Sequence, residues 1–442
     1  MKYALRTASL AMVSSVVLVS CGPDAKNLSA RIAAEGLAPK EEGEKIIGHS
    51  PGPKVEANKS TGPTRLLSRE DFRKAFRGVW APPVVNSTIV SQTFSGSYAT
   101  HEQSLDGKHI YLKGHQKEFL RYGVLTPPEP VITRTASSVP QAKLVEWRNL
   151  PAPPNLVDRS GIHQYGFLEA AKGLYLTFKA FYAVSGEDHP SQVFVDRAGT
   201  VFGSNKLNGP DVPKLPALYT HNKVAGYMCR PPKGVDADYL VGLSGTPGSR
   251  WSSAGPSLYA VKFDTQVPLG QAQNATAMMA YEPGPEAMAG WDNITSVRGC
   301  AWIEIGDRQA VIFTGRRSVG HVWYGMPDFV DPKTGKAYHD PTNPNKGYHA
   351  EGYSQGFWIM DPVDVLKAYR GEIRPMDVKP VEWVAFEELG VLLENGSTEP
   401  ARSSGWVAAS YRDGRLIVGI EAGYPLSGGL KMPLMLEFRF NK

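Results

Sequence analysis

The stretch "VRGCAWIEIGDRQAVIFTG", residues 297–315, is an extended apolar run, a tight polar turn at Gly306–Gln309, and a second apolar run. It has the pattern of a β-hairpin, in which a short turn separates two strands of alternating or buried character. The same pattern recurs four more times. It appears in "THEQSLDGKHIYLKG" (100–114), "IHQYGFLEAAKGLYLTF" (162–178), "VAGYMCRPPKGVDADYLVGLSG" (224–245) and "SGWVAASYRDGRLIVGIEAG" (404–423). Turn dipeptides mark three of these: Asp106-Gly107, Lys172-Gly173 and Asp413-Gly414. A third extended run follows each copy: "KEFLRYGVL", "SQVFVD", "PSLYAVKFD", "HVWYG" leading to "QGFWIMD", and "PLMLEFRF".

Taking Ile110, Leu174, Leu240, Val311 and Leu416 as equivalent, the copies are spaced by about 64, 66, 71 and 105 residues. A unit of three or four antiparallel strands cannot bury both of its faces alone, so repeated units must stack on one another. Radial stacking of five units predicts an all-β fold, a five-bladed β-propeller over residues 64–442. The competing architecture is a pair of β-sandwiches. The long last step holds the segment "MPDFVDPKTGKAYHDPTNPNKGYHAEG" and "DPVDVLKAYRGE" (361–372), whose period predicts a short helix; "SREDFRKAF" (68–76) predicts another, capped by Ser68 with Asp71 three residues on. Composition agrees. Hydrophobic residues at 42% and charged residues at 21% are those of a soluble globular chain, and 45 Gly with 35 Pro favour turns over long helices.

The N-terminus carries an address. "MKYALRTASLAMVSSVVLVSC" has basic Lys2 and Arg6, an apolar run from Leu10 to Val19, and Ser20 before Cys21. The apolar run is shorter than the roughly 20 residues a membrane span needs. This resembles the bacterial lipoprotein signal, and the resemblance implies a signal peptide over 1–20 and lipidation of Cys21 as the mature N-terminus. With Gly22 rather than Asp next, it also implies outer-membrane sorting in a Gram-negative envelope. Each acyl chain, such as palmitate, contributes about 0.8 kcal/mol per buried methylene, so the partner expected here is the lipid bilayer. Residues 21–63 contain no aromatic side chain and read as a flexible tether. Removing Lys2 and Arg6 brings the formal charge from +5 to +3. So small and scattered an excess argues against a nucleic-acid partner.

Beyond the repeats, "GCAW…VIFTGRRSVGHVWYG", "GYHAEGYSQGFWIMDPVDVLKAYRGEIRP" and "GRLIVGIEAG…PLMLEFRF" resemble an uncharacterised bacterial family of predicted secreted or lipoprotein propellers. The resemblance covers about the last third of the chain. It implies a fold and no activity.

Catalytic signatures are absent: no G-x-S-x-G, H-E-x-x-H, S-x-x-K or G-x-x-x-x-G-K-[ST] occurs. Candidate residues fall in two groups. Cys229 and Cys300 each lie about eleven residues before their repeat's reference residue, in neighbouring inner strands. An exported protein with such a pair favours a disulfide, although bonded Cys need Cα atoms within about 7 Å; two buried thiols are the alternative. His163 shares their offset, His101-Glu102 falls close to it, and Arg298, placed just before its strand, offers a cation for a carboxylate or sulfate.

The second group comprises Arg316, Arg317, His321, Trp323, Tyr324, Tyr348, His349, Glu351 and Tyr353. Aromatic faces beside Arg and carboxylate groups suit a glycan or a small aromatic ligand, bound beside the propeller's central opening. Asp328, Asp331 and Asp340 offer oxygen ligands to Ca²⁺, but their spacing matches no Ca²⁺ loop; no other cofactor is implied. Two function classes follow: a ligand-binding envelope lipoprotein, or a propeller hydrolase of glycosidase type. The latter needs two carboxylates about 5–9.5 Å apart, for which Glu102, Glu304 and Glu351 are the candidates.

Overall fold

A computed structural model describes residues 65–84, 93–94, 97–115, 120–150, 162–180, 191–204, 206–208, 225–242, 254–268, 271–281, 287–292, 294–324, 348–390, 407–425 and 431–441. Residues 1–63, where a signal peptide and a tether are expected, and the aspartates at 328, 331 and 340 lie outside the described residues. The five hairpins head five separate antiparallel sheets, and the chain is a five-bladed β-propeller.

From the inside outwards, blade I is His101–Gln103, Ile110–Lys113, Arg121–Thr126 and Lys143–Asn149. Blade II is Ile162–Ala170, Gly173–Ala180, Gln192–Asp196 and Val201–Ser204. Blade III is Met228–Cys229, Tyr239–Val241, Leu258–Val261 and Ala272–Met279, with Lys206–Asn208 added in parallel at its edge. Blade IV is Ser296–Ile305, Arg308–Tyr324, Tyr348–Met360 and Pro380–Ala385. Blade V is Val407–Arg412, Arg415–Pro425, Lys431–Arg439 and, as its outermost strand, Phe76–Trp80 from the start of the domain. Val79 pairs with Leu436 and Trp80 with Met435, so the two ends of the domain share one sheet.

Five apolar clusters explain the repetition, one between each pair of neighbouring blades. Ile110, Leu112 and Leu125 of blade I meet Trp80, Ile417 and Met435 of blade V. Tyr122 and Val124 meet Phe167, Leu176 and Phe178 between blades I and II. Leu168 and Tyr175 meet Tyr239, Val241 and Tyr259 between II and III. Leu240 and Met278 meet Trp302, Phe313 and Trp358 between III and IV. Ile303, Ile312 and Phe357 meet Val407, Leu416 and Leu436 between IV and V. Side chains alternate across each strand, so one blade feeds two clusters. On the inner strand of blade IV, Cys300 and Trp302 face blade III while Ala301 and Ile303 face blade V.

Hydrogen bonds add direction to this packing at two equivalent places. The Thr177 hydroxyl of blade II donates to the Gly226 carbonyl of blade III, and that of Thr314 in blade IV donates to the Val407 carbonyl of blade V. Each threonine is paired with a glycine on its inner strand, Gly166 and Gly299, at a register shift. A Cβ at either glycine would run into the threonine hydroxyl and the next blade's backbone.

Both expected helices form. Arg69–Ala75 starts from a capping box in which Ser68 and Asp71 satisfy each other's backbone N–H, and its Phe72 is fully buried against Phe357 and Phe438. Pro362–Tyr369 is capped by Asp361 and buries Val365 and Tyr369 on the outside of the cluster between blades III and IV. Among the described residues no helix is long and apolar enough to cross a membrane.

Candidate functional site

The inner strands bring a charged network to the hub. Glu102 of blade I, 3% exposed, receives Arg230 Nη2 of blade III from across the ring, and accepts the Gln103 N–H at 3.0 Å. Arg230 Nη1 also donates to the Glu169 carbonyl of blade II at 2.9 Å, and Arg412 Nη2 of blade V reaches the same carbonyl at 3.3 Å. The Glu169 carboxylate accepts the Leu105 N–H at 2.9 Å and pairs with Arg197 at 3.1 Å. Gln103 extends its side-chain amide to the carbonyls of Ser410, 3.1 Å, and Arg415, 3.0 Å. Burial raises the pKa of Glu102, opposed by the charges of Arg230 and Arg412.

Beside this network lies a small recess, lined by Glu102, Cys229, Arg230, Trp302, Ser410 and Tyr411 among others, with room for about one water molecule. Ligand pockets are typically about 300–1,000 Å³. Among the described residues the recess therefore takes water but not a sugar ring, and both nearby carboxylates are already held by arginine and backbone partners. Glu304, the other inner-strand glutamate, is exposed opposite Gln309. Arg298 is not ahead of its strand, as expected, but within Ser296–Ile305, where the register shifts between Val297 and Gly299 and the side chain is buried. His163 sits on the inner strand of blade II opposite Lys179; its side chain lies outside the described residues.

The second group assembles on one element. Ser296, the first residue of blade IV's inner strand, pairs with Arg316; beyond it, among the described residues, the second and third strands continue as a two-stranded ribbon without an inner strand beside them. At the base of this ribbon the buried Arg316 guanidinium lies 4.6 Å from the Tyr353 ring centroid, and the exposed Arg317 lies 5.3 Å from that of Trp383. Burial pulls the pKa of Arg316 down, against the opposing influence of Tyr353 and Asp292. Asp292 accepts N–H groups from Ile294, 2.9 Å, and Thr295, 2.7 Å, and the hydroxyl of Ser318.

Farther out, Glu351 and His321 are both exposed, and the Glu351 carboxylate accepts the His321 N–H at 3.1 Å. The register then sets Trp323 opposite His349 and Tyr324 opposite Tyr348. The side chains of those four residues lie outside the described residues. Arg316, His321, Glu351 and Tyr353 thus share one ribbon, whereas His163 and Arg298 belong to inner strands. Among the described residues no group of His, Cys, Asp and Glu is arranged to hold a metal ion.

Cys229 and Cys300 are two buried free thiols in the structure, the second of the two states the sequence allows. They do not occupy equivalent register positions. Cys229 pairs with the reference residue Leu240, but Cys300 pairs with Phe313, while Trp302 is the partner of Val311.

A third ionisable group was not visible in the sequence. Lys113, 3% exposed on the second strand of blade I, places its ammonium 5.0 Å from the centroid of the Tyr98 ring. Tyr98 and Ala99 both adopt positive φ, 60° and 51°. The Ala99 carbonyl lies 2.7 Å from Nδ1 of buried His101, whose Nε2 lies 3.2 Å from the Ile417 carbonyl of blade V. Burial lowers the pKa of Lys113 to about 7, opposed by the nearby Glu421 carboxylate. In "HIYLKG" the lysine follows buried Leu112 and reads as an outward, solvated position, which is why sequence pattern alone misses it.

No protein-family model matches the chain, and no curated protein matches it. Among solved structures it is similar to the parainfluenza virus 5 hemagglutinin-neuraminidase ectodomain, at 10% identity over 95% of both chains with a TM-score of 0.31. It is also similar to the N-terminal domain of Nup159, at 9% identity over 83% of this chain and 95% of that one, with a TM-score of 0.28. Both likenesses are slight; the propeller rests on the sheet topology itself.

The Lys113 environment has a measurable signature. Between about pH 7 and the ordinary lysine value of 10.5 the unfolded chain binds a proton that the folded chain does not, so this group makes stability rise with pH across that window. Lys113→Met should flatten the rise and stabilise the protein at neutral pH by roughly 2–4 kcal/mol. Thermal melts at about pH 7, 8 and 9 check it; an unchanged slope, or a lower Tm at neutral pH, contradicts it.

Proposed function

We propose that this chain is an exported, lipid-anchored propeller that binds a glycan or another small polyhydroxylated molecule on the ribbon of blade IV. The observation that carries this reading is the ribbon itself. It runs past its sheet, exposes His321 and Glu351, and stacks arginines on Tyr353 and Trp383 at its base. Aromatic faces cover the apolar side of a sugar ring, while fixed carboxylate and guanidinium groups read its hydroxyls. A ligand has no comparable space at the hub, where the recess is small and Glu102 is tied to Arg230. That arrangement favours binding over glycosidic hydrolysis, which requires two available carboxylates on either side of the scissile bond.

The anchoring half of the proposal rests on the stretch ending in Ser20-Cys21, with the diacylglycerol carried by the Cys21 thiol. Several acyl chains on one cysteine hold a protein firmly to a bilayer, and residues 21–63 then space the propeller from it. Outer-membrane sorting follows from Gly22 in the same way.

Two measurements test the two halves. In a glycan-array screen followed by calorimetry, His321→Ala and Glu351→Gln together should weaken binding at least about tenfold, while Tm stays within a degree or so because both side chains are exposed. Absence of any bound glycan, or equal affinity in the double variant, removes the binding assignment. For the anchor, Cys21→Ala should move the protein from the membrane to the soluble fraction of a Gram-negative host; a variant that still pellets after salt washing would disprove lipidation.

A further inference from the structure

The chain has three cysteines, and two of them meet between blades. Cys229 ends the inner strand Met228–Cys229 of blade III, and Cys300 lies within the inner strand Ser296–Ile305 of blade IV. Neighbouring inner strands of a propeller belong to separate sheets and share no ladder of hydrogen bonds, so residues at equivalent positions stand apart. The pleat closes the distance here. Met228 packs in the cluster between blades II and III, so Cys229 points the other way, into the cluster between III and IV. Ala301 packs between IV and V, so Cys300 points back toward blade III. The two thiols thus leave their strands into the same interface, where those strands are in contact.

Access is unequal. Cys300 is fully buried, whereas Cys229 is 6% exposed and lines the hub recess. We infer that Cys229 and Cys300 are a redox pair that closes a disulfide between blades III and IV when the folded chain meets hydrogen peroxide, an oxidant close to water in size. In the reaction the Cys229 thiolate, the one bordering the recess, attacks one oxygen of the peroxide and breaks the O–O bond, giving a sulfenic acid and, with the proton the thiol had shed, one water. Cys300 then gives up its proton and displaces the sulfenic hydroxyl as a second water, forming the protein S–S bond. The two protein thiols lose two electrons and two protons, and the peroxide is reduced to two waters. Burial, with the influence of neighbouring Cys229, raises the Cys300 thiol well above its usual pKa, so the reduced pair is slow to react until Cys229 is engaged.

The closed bond would join the inner strands of two separate sheets, and would tie off a loop of about 70 residues. In the cell this depends on the export proposed above, since the envelope is where disulfides persist. The chemistry of the pair does not depend on it, so the test is made on purified protein.

The full chain carrying Cys21→Ala leaves only these two thiols. It is folded under reducing conditions, freed of reductant, incubated with an equimolar amount of hydrogen peroxide, and thiols are titrated after unfolding. The expected result is no free thiol, a mass lower by two hydrogens, one cross-linked peptide pair containing Cys229 and Cys300, and a Tm about 5 °C above that of the reduced protein. Two thiols still titrating, or oxygen added to either cysteine without a cross-link, would overturn the inference. Either result would leave the export proposal standing, because fractionation of the Cys21→Ala chain tests that separately.

Discussion

A ring of sheets is stable only if it has no first and last edge, and in this protein that constraint is met by one strand. Phe76–Trp80 crosses from the start of the domain to pair with Lys431–Arg439, which completes blade V from both ends of the sequence. Trp80 is fully buried and packs with Ile417 and Met435 against Ile110 and Leu112, so the same strand that closes the sheet also supplies the cluster between the fifth and first blades. The capped helix just before it packs Phe72 on Phe438 and Phe440, holding the strand in register. Were this strand absent, blade V would present an open edge and blade I would lose its partner face; open edges invite pairing with other chains.

The hub works on a different principle. Its residues are charged, and burying charge is costly unless partners compensate it. Glu102, Glu169, Arg230 and Arg412 compensate one another across the centre and link blades that do not touch through their apolar faces. The network therefore constrains the relative rotation of blades while the five apolar clusters supply the bulk of the stabilisation. A hub used in this way leaves little volume for a ligand. Binding then falls to an element whose deformation does not disturb the ring, and the ribbon of blade IV, extending beyond its own inner strand, is such an element.

What the sequence revealed and what it withheld follow from the range of the interactions involved. The five hairpins were legible because their information is local: alternating apolar residues, and turns such as Asp106-Gly107 and Asp413-Gly414, where Gly107 and Gly414 adopt φ of 70° and 86°. Of the two helices, Arg69–Ala75 was legible through its cap and Pro362–Tyr369 through its period. The closing strand "FRGVW" was not, because its partner lies more than 350 residues away and five residues carry no period long enough to notice. The outer strand of blade I, Lys143–Asn149, was equally hidden; most of its residues face solvent and none is fully buried. For the ribbon, sequence grouped Arg316, His321 and Glu351 apart from His163 and Arg298; the register sets the first three on one pair of strands and the other two on inner strands. Counting eleven residues back also placed Cys229 and Cys300 at matching positions, when it is their mismatch in pleat that lets them face each other.

The central claim is that residues 76–80 are an integral strand of the last blade, and hydrogen–deuterium exchange on the intact protein tests it most directly. The account predicts that the amide of Trp80, which by alternation faces Lys431–Arg439 while that of Val79 donates to Val131, exchanges as slowly as those of Leu434 to Phe438, and that both lose protection together as denaturant is added. Rapid exchange at Trp80 while Leu434 to Phe438 stay protected would contradict it, showing a ring that is not closed by its own N-terminal strand.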